Sequence, residues 1–226
     1  MSLKSKTFFI QLFYMFKHLN IYLNLNQIKN KMKKLILSLI VLSGLFIAFK
    51  PAADVYTVDL TKSKIVWVGR KVTGQHTGEL KIASGSLTAN GKALSGGNFV
   101  MDMKSMTCTD LDATNGGKLL GHLKSNDFFS VEKNPTSKFE ITKITAAGAG
   151  KVNILGKLTI KGITSDVSFP ASVAQKKGVI VAVANNVKID RTKYDIKYGS
   201  KSFIAGIGDK AIDDQFELNI NLVAKK

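Results

Sequence analysis

The sequence predicts an all-β protein: about eight antiparallel strands closed into a barrel, with one or two short helices outside it. Three observations carry this. Leu158 and Ile160 alternate with Lys157, Thr159 and Lys161, the chain turns at Gly162 and the Thr164-Ser165-Asp166 cluster, and Val167 and Phe169 resume the alternation. From Gln215 to Val223 the even positions, Phe216, Leu218, Ile220 and Leu222, are all apolar. Asp110 to Asn126 breaks the two-residue period and is the one part that looks helical, with Leu111, Leu119, Leu120 and Leu123 at helical spacing around Gly116-Gly117. Closure follows because a barrel leaves no sheet edge unpaired.

The elements read in order as follows. Asp54–Asp59 and Lys64–Val72 are strands; Ile65 and Trp67 share one face, Val66 and Val68 the other. His76, Gly78, Leu80 and Ile82 align on the next strand, where a glycine marks a bend or bulge. Ser84–Thr88 and Gly96–Met103 flank the Asn90-Gly91 turn signal. Strands return at Ser137–Ile144, Lys151–Gly156, the opening hairpin and Gly178–Ile189. An irregular loop from Asp190 to Asp214 precedes the final strand.

Residues 1–53 stand outside this pattern. Met32-Lys33-Lys34 followed by the uncharged apolar run Leu35–Ala48 describes a secretory signal peptide, with a cut expected near Ala53. An uncleaved anchor is the alternative. Residues 1–31 hold no acidic residue and read as an extended or mis-assigned start before Met32. The organisation is therefore 1–31 extension, 32–53 signal peptide, 54–226 barrel, and the expected location is periplasmic or secreted. Of the 33 basic residues, eight lie in 1–53, which has no Asp or Glu; the remaining 25 face 16 acidic ones, a net charge of +9. Most lysines sit at alternating strand positions, a solvated outer face. No arginine run or aromatic–basic interleaving points to nucleic acid, and the basic balance favours at most transient contact with anionic lipid surfaces. The single cysteine, Cys108, excludes an intrachain disulfide framework.

Alternation nominates an inward set: Ile65, Trp67, Leu80, Phe99, Met101, Phe139, Ile141, Leu158, Ile160, Phe169, Val181, Val183, Phe216, Leu218 and Ile220. Alternation alone leaves a solid core and a ligand cavity both open. His76 and His122, the histidines of the barrel region, lack a clustered Cys or carboxylate partner in sequence and give no metal signal. His76 is either a core histidine or a polar group facing a ligand; His122 braces Leu123–Phe129. Arg191 either clamps a headgroup at the barrel mouth or ties its loop to the barrel. There is no Gly-x-Ser-x-Gly elbow and no nucleophile with a base, so no catalysis and no cofactor are expected.

Several motifs together resemble the YceI-like family. They are His76-Thr77-Gly78, His122-Leu123-Lys124-Ser125-Asn126-Asp127-Phe128-Phe129, Asn134-Pro135-Thr136-Ser137-Lys138-Phe139, Gly156–Thr164 and Ile189-Asp190-Arg191-Thr192-Lys193-Tyr194, running through residues 54–224. The resemblance implies a lipocalin-like eight-stranded barrel whose apolar tunnel takes a long hydrocarbon tail: a polyisoprenoid, a quinone-like isoprenoid or a fatty amide. The inward set then becomes tunnel lining, with His76 and Arg191 as headgroup candidates. Pairing into a homodimer is left open. Thr114-Asn115-Gly116-Gly117 carries less charge than the family's usual segment before His122. The competing expectations are a quinone-dependent redox accessory protein and a structural or stress-response module with a filled core.

Overall fold

The computed structural model describes residues 15, 17–34 and 52–226. Residues 17–34 are helical and largely exposed, and the apolar run predicted as the signal-peptide core lies outside the described residues. The chain divides into two compact units, Met1–Lys50 and Pro51–Lys226.

The second unit contains nine strands: β1 (Asp54–Val58), β2 (Lys64–Lys71), β3 (Gly74–Asn90), β4 (Ala93–Asp102), β5 (Thr136–Ala146), β6 (Lys151–Ile160), β7 (Ile163–Lys176), β8 (Val179–Asp190) and β9 (Gln215–Lys225). They form one antiparallel sheet in the order β1-β3-β2-β9-β8-β7-β6-β5-β4, closed by pairing of β3 with β4. The nine segments make eight staves. β1 and β2 lie end to end between β3 and β9: Tyr56 opposes Leu87 and Thr57 opposes Lys225, while Ile65 opposes both Leu80 and Ile220. The expected eight-stranded antiparallel barrel is thus correct, with one stave interrupted at residues 59–63.

Three boundaries differ from the sequence expectation. The stretches 74–82 and 84–88 are one strand, β3, whose pairing with β4 shifts register between Ile82 and Ser84. Lys151–Ile160 is likewise continuous. The β6–β7 turn is the two residues Lys161-Gly162, both at positive φ (52° and 75°), so Thr164-Ser165-Asp166 already belongs to β7. A two-residue turn of that hand matches strand twist, and Gly162 makes it accessible.

One helix of the barrel unit is α-helical, α1 (Ala113–Lys124). Asp112 caps it by accepting from the Thr114 and Asn115 N–H groups at 2.9 and 3.0 Å. Short 3-10 turns occur at Met103–Ser105, Arg191–Tyr194 and Gly208–Lys210. The long connections, 103–135 and 191–214, both emerge at one end of the barrel, together with the 71–74 and 160–163 turns. The far end carries tight turns and is plugged by buried Tyr56, Leu87, Ala89, Ile180 and Ala224. There the Gln175 amide donates to the Tyr56 hydroxyl at 2.7 Å and to the Gly91 carbonyl at 3.2 Å.

β3 is longer than β4 can cover, and the segment after β4 makes up the difference. Thr107 N–H donates to Glu79 O at 3.0 Å and Thr109 N–H to Thr77 O at 2.9 Å. The Glu79 N–H donates to Thr107 Oγ1 and the Lys81 N–H to Ser105 Oγ. Residues 105–109 therefore act as a short covering ribbon on an edge that would otherwise be unpaired. The close approach requires Gly78. A Cβ there would stand 1.8 Å from the Thr107 carbonyl oxygen and 2.6 Å from the Trp67 ring. That same oxygen accepts the Trp67 indole N–H at 3.1 Å.

Gly78→Ala is expected to cost at least about 2 kcal/mol, the range of backbone displacement in a packed region, measured as a lowered urea midpoint. An unchanged midpoint would show that the ribbon can move away freely.

Candidate functional site

The barrel interior is not filled. A cavity of about 390 Å³ runs inside it, within the range of roughly 300–1,000 Å³ common for small-molecule sites. Its apolar wall comes from every stave. Phe99, Phe139 and Phe169 form a chain of rings with centroids 6.4 and 5.7 Å apart, and Phe129 meets Phe216 edge-on at 6.1 Å. Glycines on neighbouring strands make room for these rings. A Cβ at Gly85 would lie 2.7 Å from Phe99, and one at Gly156 2.4 Å from Phe139.

The wall includes Ile65, Trp67, Leu80, Phe99, Met101, Phe139, Ile141, Leu158, Ile160, Phe169, Val183, Phe216, Leu218 and Ile220 from the sequence-derived set. Val181 is the exception: it is outside the wall and 36 % exposed. In Val179–Ala184 both alternate sets are apolar, so period two carries no phase there. Register with β9 decides it, pairing Ala182 with Leu222 and Ala184 with Ile220, and both alanines line the cavity. After Ala184, Asn185 and Asn186 together oppose Asn219, Asn186 taking φ 53°, and the inward phase passes to Val187 and Ile189. Leu87, Leu94, Ile154, Met103 and Met106 also line the wall. Ile154 follows from alternation carried further along β6, whereas Leu87 turns inward because the bulge between Ile82 and Ser84 reverses the phase of β3; the methionines lie outside any strand and give no periodic signal.

α1 and the segments beside it close part of the helix end. Leu119, His122 and Leu123 face the cavity from α1, and Phe128 and Phe129 from the turn that follows. His122 stands edge-on to Phe128 at 4.9 Å and to Tyr198 at 4.5 Å, the bracing role expected for it.

Polarity is distributed along the axis. The polar or charged residues on the wall are Arg70, Lys71, His76, His122, Ser137, Arg191, Asp213 and Gln215. All of them belong to the helix end, by their positions at the ends of β2, β3, β5, β8 and β9 or in α1. Toward the far end the lining is Leu87, Leu94, Ile154, Phe169, Ala171, Ala182 and Leu222. The chamber is amphipathic from end to end.

The two headgroup candidates separate here. Arg191 is 3 % exposed. Its Nε donates to Asp213 O at 2.9 Å, Nη1 to Ile196 O and Tyr198 O at 2.8 and 2.9 Å, and Nη2 to Ile212 O at 3.0 Å. The fifth N–H is left to Asp214, whose Oδ1 lies 3.6 Å from Nη2. Burial pulls the guanidinium below its usual value, while Asp214, Asp190 and Asp213 oppose that pull. Arg191 ties both ends of the 191–214 loop to the barrel, with four of its five N–H groups committed to backbone carbonyls. Arg191 lines the cavity, but its guanidinium serves chiefly to hold the loop.

His76 is different. Its Nδ1 lies 2.9 Å from Asp110 Oδ2. Asp110 Oδ1 in turn accepts the Thr77 N–H at 3.0 Å and the Cys108 S–H at 3.3 Å. Burial pushes the Asp110 carboxyl up, but these hydrogen bonds and the His76 ring outweigh it and hold the group below the usual carboxylate range. Burial, with the adjacent Asp110 side chain, pushes the Cys108 thiol up. With Asp110 engaging Nδ1, the ring of His76 is oriented and Nε2 is its remaining polar atom. His76 is thus a polar contact held at the cavity wall by a carboxylate delivered from the ribbon. Among the described residues, no group of three His, Cys, Asp or Glu could hold a metal ion.

Comparison with known proteins places these observations. The sequence model of the YceI-like domain matches residues 56–224. A "UPF0312 protein" of Pseudomonas aeruginosa strain LESB58 is 35% identical over 85 residues, 34% of this chain and 44% of that protein. A UPF0312 protein of Vibrio vulnificus strain YJ016 is 31% identical over 86 residues, 38% of this chain and 42% of its own. The chain spans less than half the length of these curated relatives. Among solved structures, Burkholderia cenocepacia BcnA superposes with a TM-score of 0.61 at 24% identity, covering 74% of this chain and 99% of its own. A polyisoprenoid binding domain from Saccharophagus degradans gives 0.57 at 14% identity, covering 75% and 97%. At these identities the structures attest the fold.

Two outcomes are expected. Arg191→Met leaves four carbonyls unpaired, one buried and three part-buried, and lowers stability by about 3 kcal/mol or more in denaturant unfolding; an unchanged midpoint would remove Arg191 as the tie of the loop. Because the folded pKa of Asp110 is depressed, its contribution is present at neutral pH and is lost as the pH falls below about 4. The destabilisation of Asp110→Asn relative to wild type is therefore larger at pH 7 than at pH 3, and equal differences at both would exclude the ionised form as the stabilising one.

Proposed function

The chain belongs to the YceI-like domain family, and from that premise and the shape of the chamber we propose that it binds a long-chain isoprenoid or similar amphiphilic lipid, tail inward, and carries or sequesters it. The observation that supports this best is the axial polarity of the cavity: apolar at the plugged far end, polar only at the helix end. A hydrocarbon tail gains about 0.8 kcal/mol per CH2 removed from water, so a long tail needs few polar contacts. Ala182 and Ala184 widen the chamber where larger residues would fill it, and Met101, Met103 and Met106 are adaptable neighbours for tails of more than one shape. His76, oriented by Asp110, is the headgroup contact in this reading.

The role is binding without turnover. The Cys108 thiol, pushed up and donating to Asp110, is a poor nucleophile. The run Leu35–Ala48 behind Met32-Lys33-Lys34 supports export across a membrane, so the cargo in this proposal is handled outside the cytoplasm.

Native mass spectrometry of the protein purified from its own cells, followed by organic extraction, tests the proposal. A co-purifying lipid is expected, and its mass separates an isoprenoid alcohol or phosphate from a quinone or a fatty amide. A bare mass that persists after adding isoprenoids would overturn it. Leu158→Trp, which fills the chamber from β6, is expected to abolish uptake while thermal unfolding remains cooperative; full uptake by the folded variant would remove Leu158 from the site.

A further inference from the structure

We propose that the helix-end rim of the barrel docks on the surface of an anionic lipid bilayer, with Phe203 and Ile204 inserted among the headgroups. This goes beyond the cargo reading and stands on the surface alone. Phe203 and Ile204 are 54 % and 43 % exposed at the tip of the 191–214 loop. Val72, 50 % exposed at the β2–β3 turn, donates its N–H to Ala211 O at 3.2 Å and so sits beside that loop. Tyr198, 49 % exposed, packs its ring edge against His122 of α1. Large apolar side chains from two connections thus stand in water around the end of the barrel where Lys71, His76, Leu119 and Asp213 line the chamber.

The loop offers these side chains from a fixed base. Arg191 gathers the carbonyls of Ile196, Tyr198, Ile212 and Asp213, and Ile196 and Ala211 at the two ends of the tip are fully buried. Gly199, Gly206 and Gly208, all at positive φ, turn the chain between them. An exposed apolar tip on so constrained a loop is a presented surface.

Charge selects the occupant. Residues 195–210 hold three lysines, Lys197, Lys201 and Lys210, against two acids, Asp195 and Asp209. Lys197 pairs with Asp195 at 2.8 Å and lies 5.1 Å from the centre of the Phe203 ring. Lys71 adds a further cation beside Val72. An aromatic and a branched aliphatic side chain flanked by lysines match the boundary between acyl chains and phosphate headgroups, the apolar groups entering and the ammonium groups remaining outside. The net charge of +9 over residues 54–226 adds long-range attraction to an anionic surface. A protein partner would not require cations interleaved with the apolar tip, so the bilayer is the favoured occupant.

The test uses residues 51–226, a compact unit whose core and hydrogen-bonded ring are complete in themselves, which removes the apolar run 35–48. The protein is sedimented with cargo-free vesicles of phosphatidylcholine and phosphatidylglycerol, or of phosphatidylcholine alone. Binding to the anionic vesicles is expected, with about tenfold weaker binding to the neutral ones and a similar loss for the double variant Phe203→Ser, Ile204→Ser, tenfold being about 1.4 kcal/mol. The double variant should still take up a detergent-dispersed isoprenoid, whereas Leu158→Trp should lose that uptake and still sediment. The two proposals therefore fail separately. No sedimentation with anionic vesicles, or a double variant that binds like wild type, would overturn the docking proposal.

Discussion

Strand β3 is the constraint from which the rest of the structure follows. Its seventeen residues present two hydrogen-bonding edges, and each must be paired along its length because buried or half-buried peptide groups left open are costly. One edge is shared by β2 and β1 in succession, which interrupts that stave. The other is shared by β4 and the 105–109 ribbon. The β3–β4 pairing closes the ring, and the ribbon carries Asp110 to His76. Closure and the polar contact on the chamber wall thus have a common origin.

The chamber exists because the inward surface is uneven in size. Aromatic rings project from β4, β5, β7 and β9, but glycine on β3 and β6 and alanine on β8 stand beside or opposite them, so the rings lean across rather than meet in the middle. Eight staves enclose a space wide enough that side chains of this mixture do not close it. Polar groups are tolerated only at the helix end, where the chain leaves the barrel and water is near. Arg191 shows how this is held: a cation under the loop is accepted because backbone carbonyls take four of its five N–H groups and Asp214 lies beside it.

Much of the architecture was legible from residue pattern. In β6 and β9 one face is apolar and the other mostly polar, so period two sets the phase without help, and Ile154, Leu158, Ile160, Phe216, Leu218, Ile220 and Leu222 are all on the wall. The turn at Asn90-Gly91 follows local chemistry. Other features resisted local reading for physical reasons. In β8 both faces are apolar and a bulge shifts the phase midway, so Val181 reads as inward although only cross-strand register decides it. The His76–Asp110 contact joins residues 34 apart in sequence through a ribbon that has no strand pattern of its own. The break between β1 and β2 resembles an ordinary turn until β3 and β9 are seen to run past it.

What the sequence alone determined is the repertoire: strands of a given phase, turns where glycine and asparagine permit them, and the motifs shared with the YceI-like family. These depend on interactions within a few residues, or on patterns kept across relatives. What only the tertiary structure decided is how those strands share edges, which of the two polar candidates is tied to backbone carbonyls, and that the centre stays open. Each of these is settled by groups far apart in the chain competing for the same hydrogen bonds or the same volume.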